Sequence, residues 1–319
     1  MKTKKFNNEK WNIFYLAIFL ILLFIGLYIY IYYEKTKDTF YNENNNENNK
    51  IAFLFLTYNN LKREDIWNRF FDINDNNISK YANKFTIYNH SKEPEKVTNK
   101  LIKHKHIPEH INTCWGCPNL VEANILMLKN ALKDKKNKKF ILVSGSCIPI
   151  VSFNTFYNEV MKDDKSIINI RHNINPERYD KITNPSFKKD EFTKHSGSGL
   201  ILNIKHAKLL VLHDVDDLKK NWKNVFASDE HYFGNILRVL DTNFNINHKV
   251  TDPKPTFDIW KKNELNKTNL NDTDIITDSY INISKITNKA IDEIRDKKFL
   301  LIRKVNEKTE IDINYILSY

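Results

Sequence analysis

From Asn12 to Tyr33 the chain reads NIFYLAIFLILLFIGLYIYIYY, without one charged residue, and this run constrains the whole molecule before any other feature does. Such a segment has no polar face to turn toward water. As a helix, at about 1.5 Å per residue, it matches a hydrocarbon core about 30 Å thick. A cleavable signal peptide is the rival reading, but its apolar region is usually only about 7–15 residues and ends in small side chains, whereas this run ends in Tyr and Ile. The sequence therefore predicts one retained transmembrane helix over residues 12–33. Lys2, Lys4, Lys5 and Lys10 precede it, and Glu34, Lys35, Lys37 and Asp38 follow with mixed sign. The positive-inside rule then leaves residues 1–11 as a cytosolic tail and places the remainder across the membrane, a type II topology. Residues 34–50, which include the tract ENNNENN, have no apolar periodicity and read as a solvated stalk. Residues 51–319 are left as the folded domain.

In that domain short apolar runs alternate with helical patterns. Ile51 to Tyr58 (IAFLFLTY) is a near-continuous buried-strand signal, repeated at Phe85 to Tyr88, Phe140 to Val143, Ile167 to Ile170, Leu200 to Ile204 and Phe299 to Ile302. Between them Val121, Ile125, Leu128 and Leu132 recur at helical spacing, as do Phe233, Ile236, Leu237 and Leu240. The alternation predicts an α/β, Rossmann-type domain with a central, mostly parallel sheet covered on both faces. Ligands of such folds bind beyond the carboxyl ends of the strands, where the loop Ser144 to Pro149 lies.

The chain is basic, with 50 Lys and Arg against 39 Asp and Glu and a net charge of +11. No helix-turn-helix, RNA-recognition or zinc-finger pattern accompanies the charge, so no nucleic-acid partner is expected; a phosphate-bearing small substrate suits the same field. Cys114, Cys117 and Cys147 are the only cysteines. Cys114-Trp-Gly-Cys117 has the spacing of a redox or half-zinc motif, but no second pair completes a tetrahedral site, and a disulfide between some two of the three fits a lumenal compartment. Asn77, Asn89, Asn266, Asn271 and Asn282 each open an Asn-X-Ser/Thr acceptor pattern, which the topology permits.

Four segments hold residues suited to chemistry. After the strand Phe140 to Val143, Ser144-Gly145-Ser146 offers small side chains, amides and hydroxyls to a nucleotide or phosphate, or simply makes a tight turn. Ser228-Asp229-Glu230-His231 opens the helix that ends near Leu240; its carboxylates either complement the helix dipole or supply a general base. Asp214-Val-Asp216 has the DxD form of a divalent-ion site on a diphosphate, though it sits in a charged run and not at a strand end. Arg303 and Lys304 end the strand pattern Phe299 to Ile302, where cations can neutralise a diphosphate leaving group.

Taken in order, IAFLFLT (Ile51 to Thr57), Trp115 to Ala123, Phe140 to Ile150, Ser196-Gly-Ser-Gly through Ala207, and Ser228 to Phe233 resemble the core-2/I-branching β-1,6-N-acetylglucosaminyltransferase family, which also includes peptide O-xylosyltransferases. The resemblance implies a GT-A-like domain that transfers a sugar, most readily GlcNAc from UDP-GlcNAc, to a glycan or glycoprotein hydroxyl with inversion. It implies no metal and no other cofactor, Glu230 as catalytic base, and Lys304 on the donor diphosphate. Arg303 and Arg295 are the candidates for a second diphosphate cation. Glu177-Arg178 resembles an acceptor-contact segment of the branching enzymes. A Golgi-like lumenal location follows if the cell is eukaryotic. Rival expectations are UDP-xylose as donor, a metal-dependent transferase using Asp214 and Asp216, and a tethered glycan-binding protein without turnover.

Overall fold

The computed structural model describes residues 49–76, 78–168, 170–171, 176–183, 187–213, 215–241, 255–258, 273–279 and 282–319, together with 23 and 26. The span expected at 12–33 lies outside them but for those last two residues, as do the stalk up to residue 48, Asp214, and the acceptor asparagines Asn77, Asn266 and Asn271. Among the described residues no helix is long and apolar enough to cross a membrane. Residues 49–319 form one compact unit. In chain order its strands are β1 (Lys50–Thr57), β2 (Phe85–Ser91), β3 (Asn137–Ser144), β4 (Ile148–Pro149), β5 (Ile170–Arg171), β6 (Lys194–His195), β7 (Ile201–Asn203), β8 (Thr256–Asp258), β9 (Ile275–Ser279), β10 (Asn282–Ile286), β11 (Leu301–Arg303) and β12 (Val305–Glu310).

The most apolar strand takes the middle of the main sheet. β1 lies between β2 and β3 and runs parallel to both, with Ile51 opposite Phe85 and Ala52 opposite Phe140. The order is β2-β1-β3-β7. The parallel arrangement predicted from the sequence holds for three strands and stops at β7, which pairs antiparallel with β3; an antiparallel edge on a parallel sheet is a common variation of this architecture. The smaller sheets, β4-β11-β8 and β12-β10-β9, mix both directions. Of the described residues in the expected strand Ile167 to Ile170, only Ile170 is in one, and Ile167 makes a single bridge to Ile201.

Side chains alternate across β1, and each face has its own core. Ala52 and Leu54 face the helices Asn119–Ala131, Ile204–Leu212 and Tyr232–Leu240 through Val121, Ile125, Leu128, Leu210, Phe233 and Leu237. Ile51, Phe53 and Phe55 face the helices Glu64–Phe70 and Phe153–Met161. The second core is aromatic: the Phe53 ring centroid lies 6.0 Å from Trp67, 5.0 Å from Phe71 and 5.7 Å from Phe156. Trp67 also donates its indole N–H to the Cys147 carbonyl at 3.0 Å, fixing the loop after β3 to this core. Truncating such a buried indole typically costs about 3–5 kcal/mol, so the loop inherits its rigidity from the sheet.

Asn89, one of the expected glycan acceptors, is corrected here. It lies fully buried in β2, its side-chain oxygen accepting from the Thr57 hydroxyl at 3.3 Å. Asn282 is half-buried at the start of β10.

Candidate active site

The carboxyl ends of β1 and β3 open on a cleft of about 450 Å³ whose walls include Thr57, Ser144, Arg178, Glu230, Arg303 and Lys304. A second hollow of about 340 Å³ shares Leu56, Tyr58 and Ser144 with it and extends past Asn59, Asn60, Gly145 and Ser146. This is where the strand topology alone places a ligand.

The Ser144–Ser146 loop uses its backbone internally. The Gly145 amide donates to the Leu56 carbonyl at 3.2 Å, and the Gly145 carbonyl accepts from the Lys62 amide at 2.8 Å. A Cβ at residue 145 would lie 3.3 Å from both the Asn60 carbonyl oxygen and the Thr57 methyl, so the turn needs glycine for its close approach. The Gly145 amide is thus taken up within the turn, while the residue itself lines the smaller hollow. Ser144 and Ser146 still present hydroxyls to the two hollows, 3.3 Å apart.

The same loop brings in the C-terminal cations. The Ser146 carbonyl accepts from the Val305 amide at 3.0 Å, β4 pairs with β11, and the Ile283 amide donates to the Lys304 carbonyl at 2.8 Å. Arg303 and Lys304, at the junction of β11 and β12, are thus carried to the cleft wall. Burial and the neighbouring Arg303 charge lower the Lys304 pKa, while Glu230 and Asp258 oppose them. Arg295, the other candidate cation, is elsewhere. It donates to the Ile150 carbonyl at 2.7 Å and to the Tyr315 and Ile316 carbonyls at 2.9 Å, bracing the C-terminus, and it does not line the cleft.

Glu230 closes the opposite side. Ser228-Asp229-Glu230 does not open the helix as expected. It forms a separate 3₁₀ turn, entered from Ala227 at φ +52° and broken from the helix Tyr232–Leu240 by His231 at φ −131°. Glu230 therefore precedes the His231 cap and lies outside the first turn of the helix, where the dipole acts most strongly. Glu230 is only 8% exposed. Its Oε2 accepts from Arg178 at 2.6 Å and pairs with Lys194 at 3.0 Å. Burial alone would raise the Glu230 pKa, but the Arg178 hydrogen bond and the Lys194 charge outweigh it and hold the carboxyl below its ordinary range. Asp229, beside it, is pushed up to about 6 by burial and then by the Glu230 charge. His231 is pushed down to about 4 by burial and is neutral. Since Arg178 donates to its Nε2 at 3.2 Å, its Nδ1 carries the proton and donates to the Thr193 carbonyl at 3.0 Å.

Arg178, expected near an acceptor, comes from the short helix Pro176–Tyr179 and reaches the cleft through Glu230. Its neighbour Glu177 is exposed and does not line the cleft. Asp216 lies in the helix Val215–Asn221, also off the cleft, because the segment continues as helix and does not end a strand. Sequence reasoning missed Lys194, whose only signal is one cation before His195 and Ser196; of the three cysteines, among which a disulfide was expected without its pair, Cys114 and Cys117 are bonded, and Trp115 and Gly116 between them line the cleft.

An ionised carboxylate and two cations lining one cleft at the carboxyl ends of parallel strands make a site suited to an anionic substrate and a proton transfer. Residues 51–295 match the model of the core-2/I-branching enzyme family, and the chain belongs to that family. Over 169 residues it is 27% identical to glycosyltransferase BC10 of rice, Oryza sativa subsp. japonica, an overlap of 51% of this chain and 41% of that protein, so it spans less than half of that relative's length. Glu230, Arg178 and Ser144–Ser146 fall within the family match; Arg303 and Lys304 lie just beyond it.

Proposed function

We propose that the chain is an inverting glycosyltransferase that moves GlcNAc from UDP-GlcNAc to a hydroxyl of a glycan or glycoprotein acceptor, with no metal ion required. The observation that carries this reading is the Glu230 carboxylate, held by Arg178 and Lys194 through Oε2 in the wall of the cleft that Arg303 and Lys304 also line. The acceptor hydroxyl donates to Oε1 and loses its proton there as its oxygen attacks the anomeric carbon from the face opposite the diphosphate. One displacement inverts that centre. Arg303 and Lys304 offset the charge that builds on the departing UDP, the role a divalent ion takes in DxD enzymes. The Ser144 and Ser146 hydroxyls lie where the nucleotide enters the smaller hollow. In the cell this domain lies on the lumenal side of a type II anchor, as in the Golgi.

The test is turnover of UDP-GlcNAc and of UDP-xylose by the full chain in detergent, with and without EDTA. Release of UDP from UDP-GlcNAc that persists in EDTA supports the proposal, and preference for UDP-xylose redirects it to peptide xylosylation. Loss in EDTA points to a metal-dependent transferase, and no turnover of either donor leaves a glycan-binding protein.

A further inference from the structure

The cleft has an aromatic rim that the transfer chemistry does not use. Like Tyr58 on the wall of the same cleft, Trp115 is exposed, at 78%, and so is Phe226, at 48%. Their ring centroids are 5.1 Å apart with planes at 70°, an edge-to-face pair that leaves indole surface open to the cleft. Both line the main cleft and neither lines the smaller hollow beside Ser146. They therefore stand away from the end assigned to the nucleotide.

The rim is braced. The Cys114–Cys117 disulfide closes the loop around Trp115. Gly116 sits at φ +74°, where any Cβ would overlap the Phe226 ring. The Gly116 carbonyl accepts from the Ala227 amide at 2.8 Å, and Ala227 is the left-handed residue from which the Glu230 turn begins. The Arg178 guanidinium lies 5.5 Å from the Phe226 ring centroid while its NH1 holds Glu230. Aromatic surface and carboxylate are thus fixed to one another through one backbone hydrogen bond and one shared arginine.

We infer that Trp115 and Phe226 form a stacking platform for the apolar face of a neutral pyranose on the acceptor, and that the Cys114–Cys117 disulfide holds the platform in register with Glu230. One face of a pyranose carries C–H bonds whose positive edge suits the negative face of an indole, while the hydroxyls stay free to address the cleft. The inference rests on the transferase reading, since it is that reading which makes the ring beside Glu230 an acceptor.

The test is binding, which needs no turnover. Methyl β-galactoside and methyl β-N-acetylglucosaminide are titrated onto the full chain in detergent, with UDP present, and read by saturation-transfer NMR; UDP affinity is measured separately by calorimetry. Trp115→Ala is expected to weaken glycoside binding by about tenfold, Trp115→Tyr by less than about threefold, and the paired change Cys114→Ser with Cys117→Ser by several-fold, all with UDP affinity unchanged. Equal glycoside binding by Trp115→Ala and wild type, no glycoside binding by wild type, or a parallel loss of UDP affinity in Trp115→Ala would each overturn the platform. Failure of the wild-type chain to bind UDP removes the transferase reading instead, and the glycoside titration still decides whether the rim binds sugar.

Discussion

Two short turns meet at the cleft, Ser144–Ser146 and Ser228–Glu230, and the fold uses them in opposite ways. In the first, the backbone groups are taken up by the protein: Gly145 by Leu56 and Lys62, Ser146 by Val305. In the second, it is a side chain that is held, because Arg178 and Lys194 both grip Oε2 of Glu230 in the cleft wall. The contrast separates a residue that shapes a site from one that acts in it. A glycine whose Cβ would crowd its neighbours at 3.3 Å shapes the cleft, whereas a buried carboxylate held below its ordinary pKa at some desolvation cost is the candidate for its chemistry.

That contrast can be broken by substitution. Glu230→Gln keeps the shape and removes the proton acceptor, so transfer should fall by about 10²–10⁴ while UDP affinity, read by calorimetry, stays within about threefold. A folded Glu230→Gln protein that transfers at the wild-type rate would place Glu230 with the architectural residues. Lys304→Ala should lower turnover by about 10²–10³, the usual effect of losing one preorganised contact to developing charge. Unchanged turnover would show that the cation wall, which lies beyond the family match, is not the diphosphate site. Gly145→Ala should do the reverse of both. Its Cβ crowds a carbonyl and a methyl at 3.3 Å, so denaturant unfolding should show a loss of about 1–2 kcal/mol, while turnover per folded molecule changes less than about twofold. A large drop in turnover at full stability would mean that the loop backbone touches the donor after all.

How much of this was legible in the sequence follows from which interactions are local. β1, β3 and the helices Asn119–Ala131 and Tyr232–Leu240 fall where periodicity puts them, because one buried stripe or one doubly buried strand writes itself into contiguous residues. The convergence of Ser146 with Val305 and of Glu230 with Arg178 and Lys194 was not legible from spacing, since each joins segments distant along the chain. The resemblance singled out Glu230 and Lys304, which line the cleft, and left Arg303 and Arg295 as candidates for a second cation; Arg303 lines it too, while Arg295 spends its hydrogen bonds on three carbonyls, which only the fold reveals. The break between Glu230 and the following helix was also hidden, because an acidic pair before an amphipathic run is what an ordinary helix start looks like.

The central claim is that Glu230, and not its neighbour Asp229, takes the proton, and the pH dependence of transfer tests it most directly. The base must be ionised to work, so activity is lost as the pH falls through its pKa. Burial raises the Glu230 pKa, but Arg178 and Lys194 bring it below the ordinary carboxylate range, whereas burial and Glu230 push Asp229 up to about 6. Transfer measured across pH with the full chain should therefore hold down to pH values under the usual range for Glu, about 4.3. The acid limb should move upward in Arg178→Ala and return toward wild type in Arg178→Lys, and Asp229→Asn should leave it in place. An acid limb near pH 6 that ignores Arg178→Ala and disappears in Asp229→Asn would contradict the account and make Asp229 the base.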